Sequence, residues 1–134
     1  MSVTNAKESH AIKEKGCKFQ QEIVAKILDK IPTLTVSDVV SCPPSAKGED
    51  AQISNDARKV LPIVVECKHY DKGFGQVYKY YREAHKHMRE LGRADNIEPI
   101  LFIKHQICKA KAVVDADYLI SLLAIQADLL EQEV

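Results

Sequence analysis

The chain has 134 residues, of which 19 are Lys or Arg and 19 are Asp or Glu, so its formal net charge is zero. With 46% hydrophobic and 28% charged residues, it is predicted to fold as one domain over residues 1–134, which excludes a largely disordered chain. No apolar run approaches the roughly 20 residues of a membrane helix, so we expect no membrane partner. The polar N-terminus and four widely spaced cysteines predict a reduced, cytoplasmic protein.

The first half of the chain begins with a helical pattern and continues with strand patterns. Apolar residues at helical spacing predict a helix over residues 7–30, and Pro32 ends the pattern. β-Branched and alternating residues predict strands at 34–41 and 50–54. A loop with two prolines at 42–47 separates these two strands.

The second half completes the pattern of a mixed sheet. The near-continuous apolar run at 60–67 is typical of a buried central strand. The remaining predicted elements are a helix at 73–92, strands at 100–103 and 112–114, and a last helix that Asp115 or Asp117 caps. This order predicts an α/β fold with a central mixed β-sheet flanked by α-helices.

The charges are distributed unevenly. The net charge is zero over residues 1–67, +5 over 68–111 and −5 over 112–134, so overall neutrality does not exclude an electropositive face. The spacing of the cations in the 73–92 region predicts one stripe along the helix, with a solvated face of no function as the alternative. The stripe consists of Lys79, Arg82, Lys86, Arg89 and Arg93.

A charged tripeptide, Glu66-Cys67-Lys68, ends the predicted central strand. Glu66 and Lys68 are two residues apart and therefore share a face of a strand. An ionised Glu in a buried strand is costly unless it is paired or binds a metal. Lys68 is one partner; Asp50, on the neighbouring predicted strand, adds a second carboxylate. Two carboxylates beside a lysine suit Mg²⁺ or Mn²⁺.

The same residues resemble a known signature. Asp50, fifteen intervening residues and Glu66-Cys67-Lys68 resemble the PD-(D/E)XK nuclease superfamily. Lys15-Gly16-Cys17-Lys18-Phe19-Gln20 resembles the helix start of archaeal Holliday-junction resolvases, and residues 48–68 resemble small phage-encoded nucleases of this superfamily. The resemblance covers roughly residues 13–104 and implies a restriction-endonuclease-like core.

The resemblance also implies residue roles. Asp50 and Glu66 would hold Mg²⁺ (or Mn²⁺) together with the backbone carbonyl of Cys67, and Lys68 would stabilise the deprotonated attacking water. The helix position often held by Glu in the family is Gln20 here. The residues expected to contact DNA are Lys18, Lys72, Lys79, Arg82, Lys86 and Lys104.

Whether two further acidic residues belong to the site stays open. Glu22 is the alternative occupant of the helix position of Gln20, although a solvated carboxylate is the simpler interpretation. Glu49 stands where the family has Pro, and only a kink would bring both Glu49 and Asp50 into the site.

The function implied by the resemblance is a Mg²⁺-dependent endodeoxyribonuclease without an organic cofactor, acting as a homodimer on DNA. Selectivity for branched or junction DNA, and DNA as opposed to RNA, are not decided by these residues. One alternative is a catalytically inactive subunit of the same fold that binds nucleic acid. The other is an unrelated α/β interaction domain in which Glu66 and Lys68 form an ordinary ion pair.

Overall fold

The structure is a computed structural model that describes residues 3–41, 50–92 and 97–133, with side chains from Glu14 onward. In those ranges it is a mixed α/β protein with four helices and two antiparallel two-stranded sheets. The chain divides into two compact units, which are described separately: residues 1–69 with 120–134 form the first unit, and residues 70–119 form the second. The elements are α1 (Val3–Lys30), β1 (Val39–Ser41), β2 (Ala51–Ile53), α2 (Asn55–Arg58), α3 (Gly75–Glu90), β3 (Leu101–Ile103), β4 (Lys111–Val113) and α4 (Ala116–Gln132).

Helix α1 confirms the first predicted helix and runs through Gly16 without a break. Its apolar spacing buries Val24 and Ile27, and Ile31 follows them into the same core. The helix ends before Pro32, which has no N–H to continue the hydrogen-bond ladder.

The strand predicted at 34–41 is much shorter in the structure, because a turn built on Asp38 replaces its first half. The Asp38 carboxylate accepts hydrogen bonds from the Thr35 backbone N–H (2.8 Å), the Thr35 hydroxyl (3.0 Å) and the Ser54 hydroxyl (2.9 Å). Asp side chains favour such local bonds to nearby backbone over a strand ladder. Strand pairing therefore starts only at Val39.

β1 and β2 form an antiparallel pair in the register Val39↔Ile53, Val40↔Gln52 and Ser41↔Ala51. Alternation buries Val39 and Ile53 and leaves Gln52 exposed. Ala51 also forms an antiparallel bridge with Val65, so residues 61–67 lie beside β2 as an irregular third extended segment. The loop predicted at 42–47 lies outside the described residues.

The prediction of a regular buried strand at 60–67 is wrong. Leu61, Val65 and Cys67 are buried, whereas Val64 is 72% exposed, so this segment alternates as a half-buried strand does. Regular pairing is limited to the bridge at Val65. A run of apolar letters does not reveal whether one face or both faces of a strand are covered.

The core of the first unit is one cluster of fourteen buried side chains among the described residues. Helix α4 contributes Ile120 and Ala127 to it, with Leu123 partly buried against the same cluster. The Thr33 hydroxyl donates a hydrogen bond to the Glu131 carboxylate, which ties the end of α1 to the end of α4.

The second unit consists of α3, the β3–β4 hairpin and their connections. The hairpin has the register Leu101↔Val113, Phe102↔Ala112 and Ile103↔Lys111. Helix α3 ends at Glu90, and Gly92, just beyond the C-cap Leu91, has a φ of +69°, the left-handed conformation that commonly terminates helices. In the described part of this unit, Met88 and Pro99 are the two buried residues.

The two sheets remain separate in the part of the chain that the structure describes. A single central sheet, as expected from the sequence, is not formed by these residues. Cys67 and Cys108 are free thiols, but Cys17 is disulfide-bonded, so the expectation of reduced cysteines is wrong for Cys17. In the described ranges, no helix combines the length and the apolar character needed to cross a bilayer.

Candidate functional site

Asp50 is joined to the 65–67 segment by two hydrogen bonds within the first unit. Its backbone N–H donates to the carbonyl of Val65 (3.0 Å), and its carboxylate Oδ2 accepts from the backbone N–H of Cys67 (2.6 Å). The Asp50 carboxylate therefore lies against the peptide that joins Glu66 to Cys67. Asp50 and Glu66 are sixteen residues apart in sequence, and the pairing of their two extended segments brings their backbones close together.

Cys67 lies within reach of both carboxylates. The pKa of its thiol is raised, first by burial and then by the negative charges of Asp50 and Glu66. A buried thiol whose pKa is raised in this way stays protonated at neutral pH and is a poor nucleophile. The side chain of Cys67 is therefore a packing group, while its backbone N–H positions Asp50.

Glu66 and Lys68 form an ion pair, with Oε1 and Nζ 2.9 Å apart. Their side chains are 53% and 52% exposed, so the sequence-based argument that Glu66 is a buried carboxylate in need of compensation is wrong. An exposed pair of this kind is worth only about 0–1 kcal/mol. Because this ion pair costs little to separate, the Glu66 carboxylate can bind another cation instead.

Helix α1 lies close to the residue that follows the Glu66–Lys68 pair, and Phe19 makes this contact. The Phe19 ring contacts the ring of His69 edge-on, with centroids 5.7 Å apart, and His69 directly follows Lys68. Gln20, the next residue of α1, is half-buried. Glu22 is exposed, as a solvated helix carboxylate would be. Glu49 lies outside the described residues.

The donor set can be compared with what a divalent cation requires. Among the described residues, no three His, Cys, Asp or Glu side chains come together as a metal site. Asp50 and Glu66 would supply two carboxylates, and Mg²⁺ is commonly held by one or two carboxylates with waters and phosphate oxygens. The residues present therefore fit a Mg²⁺ that takes its remaining ligands from water and substrate.

The predicted DNA-binding residues divide between the two units. Lys18 is exposed on α1 in the first unit, and Lys72 and Lys104 are exposed in the second. On α3, Lys79, Arg82, Lys86 and Arg89 are all exposed. The buried face of this helix is centred on Val77, Tyr81 and Met88, so the cations project from the opposite side. Arg93 lies outside the described residues.

The sequence prediction missed two features of the site. One is the Cys67 N–H, which carries no side-chain signal at all. The other is the contact between His69 and Phe19, for which the only sequence signal is that His69 directly follows Lys68. Both depend on which segments pair, and no spacing rule specifies this for positions so far apart.

The comparisons with known proteins add no relative. No protein-family model matches the chain, and neither the curated proteins nor the solved structures include a match. The site is therefore interpreted from its own geometry and chemistry.

Proposed function

We propose that this protein is a Mg²⁺-dependent endonuclease that hydrolyses DNA phosphodiester bonds, with a restriction-endonuclease-like core. The observation that carries the proposal is the hydrogen bond from the Cys67 N–H to the Asp50 carboxylate, beside the Glu66–Lys68 pair. It places the Asp50 carboxylate against the peptide that joins Glu66 to Cys67, next to the Glu66–Lys68 pair, and this supports the resembled signature as the site. Action on cellular or phage DNA locates the activity in the cytoplasm, where the Cys17 disulfide is an unusual feature.

The proposal assigns each side chain a role that its contacts support. Asp50 is held by the Cys67 N–H through Oδ2, which leaves Oδ1 as a cation ligand, and Glu66 supplies the second carboxylate. Mg²⁺ bound there would supply Lewis acidity and lower the pKa of a bound water. Lys68 places an ammonium group next to the same carboxylate, where it stabilises negative charge that develops on a phosphate. Gln20 is the proposed polar contact from α1.

DNA binding is assigned to the exposed cations of the two units: Lys18, Lys72, Lys79, Arg82, Lys86 and Lys104. Contacts of this type neutralise phosphates and carry no sequence information, so affinity should fall steeply with salt. Selectivity for branched DNA would then depend on the shape of the DNA.

A homodimer is part of the proposal, because symmetric cleavage of two strands needs two sites. Helix α4 buries Ile120 and Ala127 on one face and exposes Leu122, Ile125 and Leu129 on the other, at 45%, 59% and 57%. This exposed apolar face is the proposed dimer surface. Replacing Ile125 by Glu should convert the dimer to a monomer in sedimentation velocity.

One observation favours the alternative of an inactive nucleic-acid-binding subunit. Lys68 already neutralises Glu66 at an exposed position, so the fold needs no metal to stabilise this carboxylate. Calorimetric titration with Mg²⁺ separates the two candidates. Saturable heat that disappears in Asp50→Asn supports the enzyme, whereas absence of heat with and without DNA supports the inactive subunit.

The decisive experiment offers Mg²⁺ or Mn²⁺ with single-stranded, duplex, flap and four-way-junction DNA. We expect cleavage of at least one substrate, and a loss of at least about 100-fold in Asp50→Asn, Glu66→Gln and Lys68→Ala, the size typical of removing a group that stabilises transition-state charge. None of the three should change the melting temperature greatly, since these side chains are at least partly exposed.

A second surface ion pair supplies the matched control. Asp56 and Lys59 pair at 3.3 Å, with their side chains 91% and 67% exposed, in the same unit as the site. Asp56→Asn and Lys59→Ala should cleave like the wild type. Wild-type cleavage by Asp50→Asn or Glu66→Gln would show that the mechanism is wrong.

A further inference from the structure

The second unit contains a pocket that the proposed cleavage chemistry does not use. It has a volume of about 210 Å³ and lies between α3, the end of β4 and the start of α4. Its walls are mostly apolar and aromatic: Val77, Tyr78, Tyr81, Val113, Val114, Asp115 and Ala116. Pockets for drug-sized ligands span about 300–1,000 Å³, so this pocket suits a single planar ring system and not a whole nucleotide.

The polar groups that matter in this pocket are the Tyr81 hydroxyl and the Asp115 carboxylate. The Tyr81 hydroxyl is buried and forms no hydrogen bond of normal geometry within the part of the chain that the structure describes. Burial raises the pKa of Tyr81, and the charges of Asp115 and Glu98 raise it further, so both carboxylates are near this hydroxyl. The Asp115 carboxylate beside this hydroxyl presents acceptor oxygens at the pocket, which favours a ligand that brings N–H donors.

The charges outside the pocket have the opposite sign. Arg82 follows Tyr78 by four residues, which makes the two side chains neighbours on the surface of α3. Lys79, Lys86 and Arg89 continue the same exposed cationic face. A basic peptide would be repelled by this face, whereas a ligand that carries phosphate is attracted to it. The ligand that satisfies both regions has a ring with N–H donors and an adjacent phosphate.

We propose that this pocket binds one unpaired DNA base that carries an exocyclic amino group. Tyr78 and Tyr81 contact the faces and edge of the base, Asp115 accepts from its amino group, and Arg82 contacts the neighbouring phosphate. The proposal rests on DNA being the ligand of the proposed function, and it adds a preference for unpaired cytosine or adenine over thymine, which has no amino group.

The test measures binding without cleavage. Fluorescence anisotropy is recorded in EDTA with labelled oligo-dC, oligo-dA and oligo-dT and with a duplex of the same length. The wild type should bind oligo-dC and oligo-dA more tightly than oligo-dT. Tyr78→Ala should weaken binding of oligo-dC and oligo-dA by about tenfold, the size of one lost base–aromatic stack, and leave duplex binding unchanged.

Helix α3 and helix α4 supply matched controls. Tyr80 is also an exposed tyrosine on α3, but it points about 160° away from Tyr78 and does not line the pocket. Tyr80→Ala should bind like the wild type. Asp115→Asn should reduce the preference for amino-bearing bases severalfold, because a neutral acceptor is weaker than a charged one, while Asp117→Asn should retain it.

The outcomes separate this proposal from the nuclease proposal. Equal affinity of the wild type for all three oligonucleotides, or equal losses in Tyr78→Ala and Tyr80→Ala, would overturn the base pocket even if Mg²⁺-dependent cleavage is observed. The expected base preference without any cleavage would support the pocket and overturn the enzyme. Absence of binding to every DNA would overturn both.

Discussion

The two units of this protein differ in how they use their residues. The described part of the first unit gathers fourteen buried side chains into one cluster and holds Asp50, Glu66 and Lys68 at its surface. The described part of the second unit buries only Met88 and Pro99, and presents a row of cations and a small aromatic pocket. A metal site needs carboxylates held in fixed positions, whereas contacts to DNA phosphates tolerate a less rigid support. The comparison suggests a rigid support for the proposed chemistry and a more adaptable surface for the proposed substrate.

The largest expected effect is a loss of stability, and it tests whether the first unit has the more extensive core. Leu61 is fully buried in the first unit, and Leu61→Ala should lower the free energy of unfolding by about 2–5 kcal/mol. Met88→Ala in the second unit should cost less, because among the described residues of that unit only Pro99 is also buried, and the gap can collapse. Urea denaturation of both variants measures this, and an equal or larger loss in Met88→Ala would contradict the proposed difference.

The next effect concerns binding through the second unit. Replacing Lys79, Arg82 and Lys86 together by Gln should weaken duplex binding by roughly tenfold or more and lower the slope of log affinity against log salt by up to about 0.9 per lost phosphate contact. The melting temperature should change little, since all three side chains are exposed.

A control for this variant removes the same charge elsewhere. Lys30, Lys59 and Lys109 are exposed and lie off the α3 stripe. If their joint replacement by Gln lowers the affinity and the salt slope equally, net charge and not the α3 stripe determines binding.

The smallest effect concerns the acid stability of the first unit. The Thr35 backbone N–H, then the Ser54 hydroxyl, then the Thr35 hydroxyl hold the pKa of Asp38 below its usual 3.8. A lowered pKa in the folded state stabilises the fold above pH 3.8, and this contribution is lost as the pH falls through the folded-state value. Asp38→Asn should therefore melt below the wild type at pH 6, and the gap should narrow at pH 3 in thermal unfolding followed by circular dichroism.

A second acid provides the comparison for Asp38. Asp56 is 91% exposed and belongs to a surface ion pair, so Asp56→Asn should change the melting temperature little at either pH. A gap between Asp38→Asn and the wild type that is independent of pH would contradict the role of the carboxylate charge.

Local sequence patterns predict the long helices α1, α3 and α4 well, miss the short helix α2, and predict the extended segments less well. The periodic apolar residues of α1 and α4 specify which face each helix buries, and Gly92 marks the end of α3. The apolar run at 60–67 predicts a regular buried strand, but whether Val64 faces protein or water depends on what covers it, and Val64 is exposed. The turn at Asp38 is not predicted by the β-branched pattern around it: its local bonds to Thr35 outweigh that pattern, and its bond to Ser54, sixteen residues away, has no signal in the sequence.

The candidate site also has features that the sequence predicts and features that only the structure reveals. The sequence alone determined the chemical identity of the candidate groups, because the types and spacing of Asp50, Glu66 and Lys68 are readable in the chain. The tertiary structure decided that the Asp50 carboxylate meets the Cys67 N–H and that Glu66 is exposed and paired. The tertiary structure also decided that Tyr81 and Asp115, 34 residues apart, lie side by side. The physical reason is that periodicity fixes which side of its own element a residue occupies, while only packing of distant segments fixes which other residues it meets.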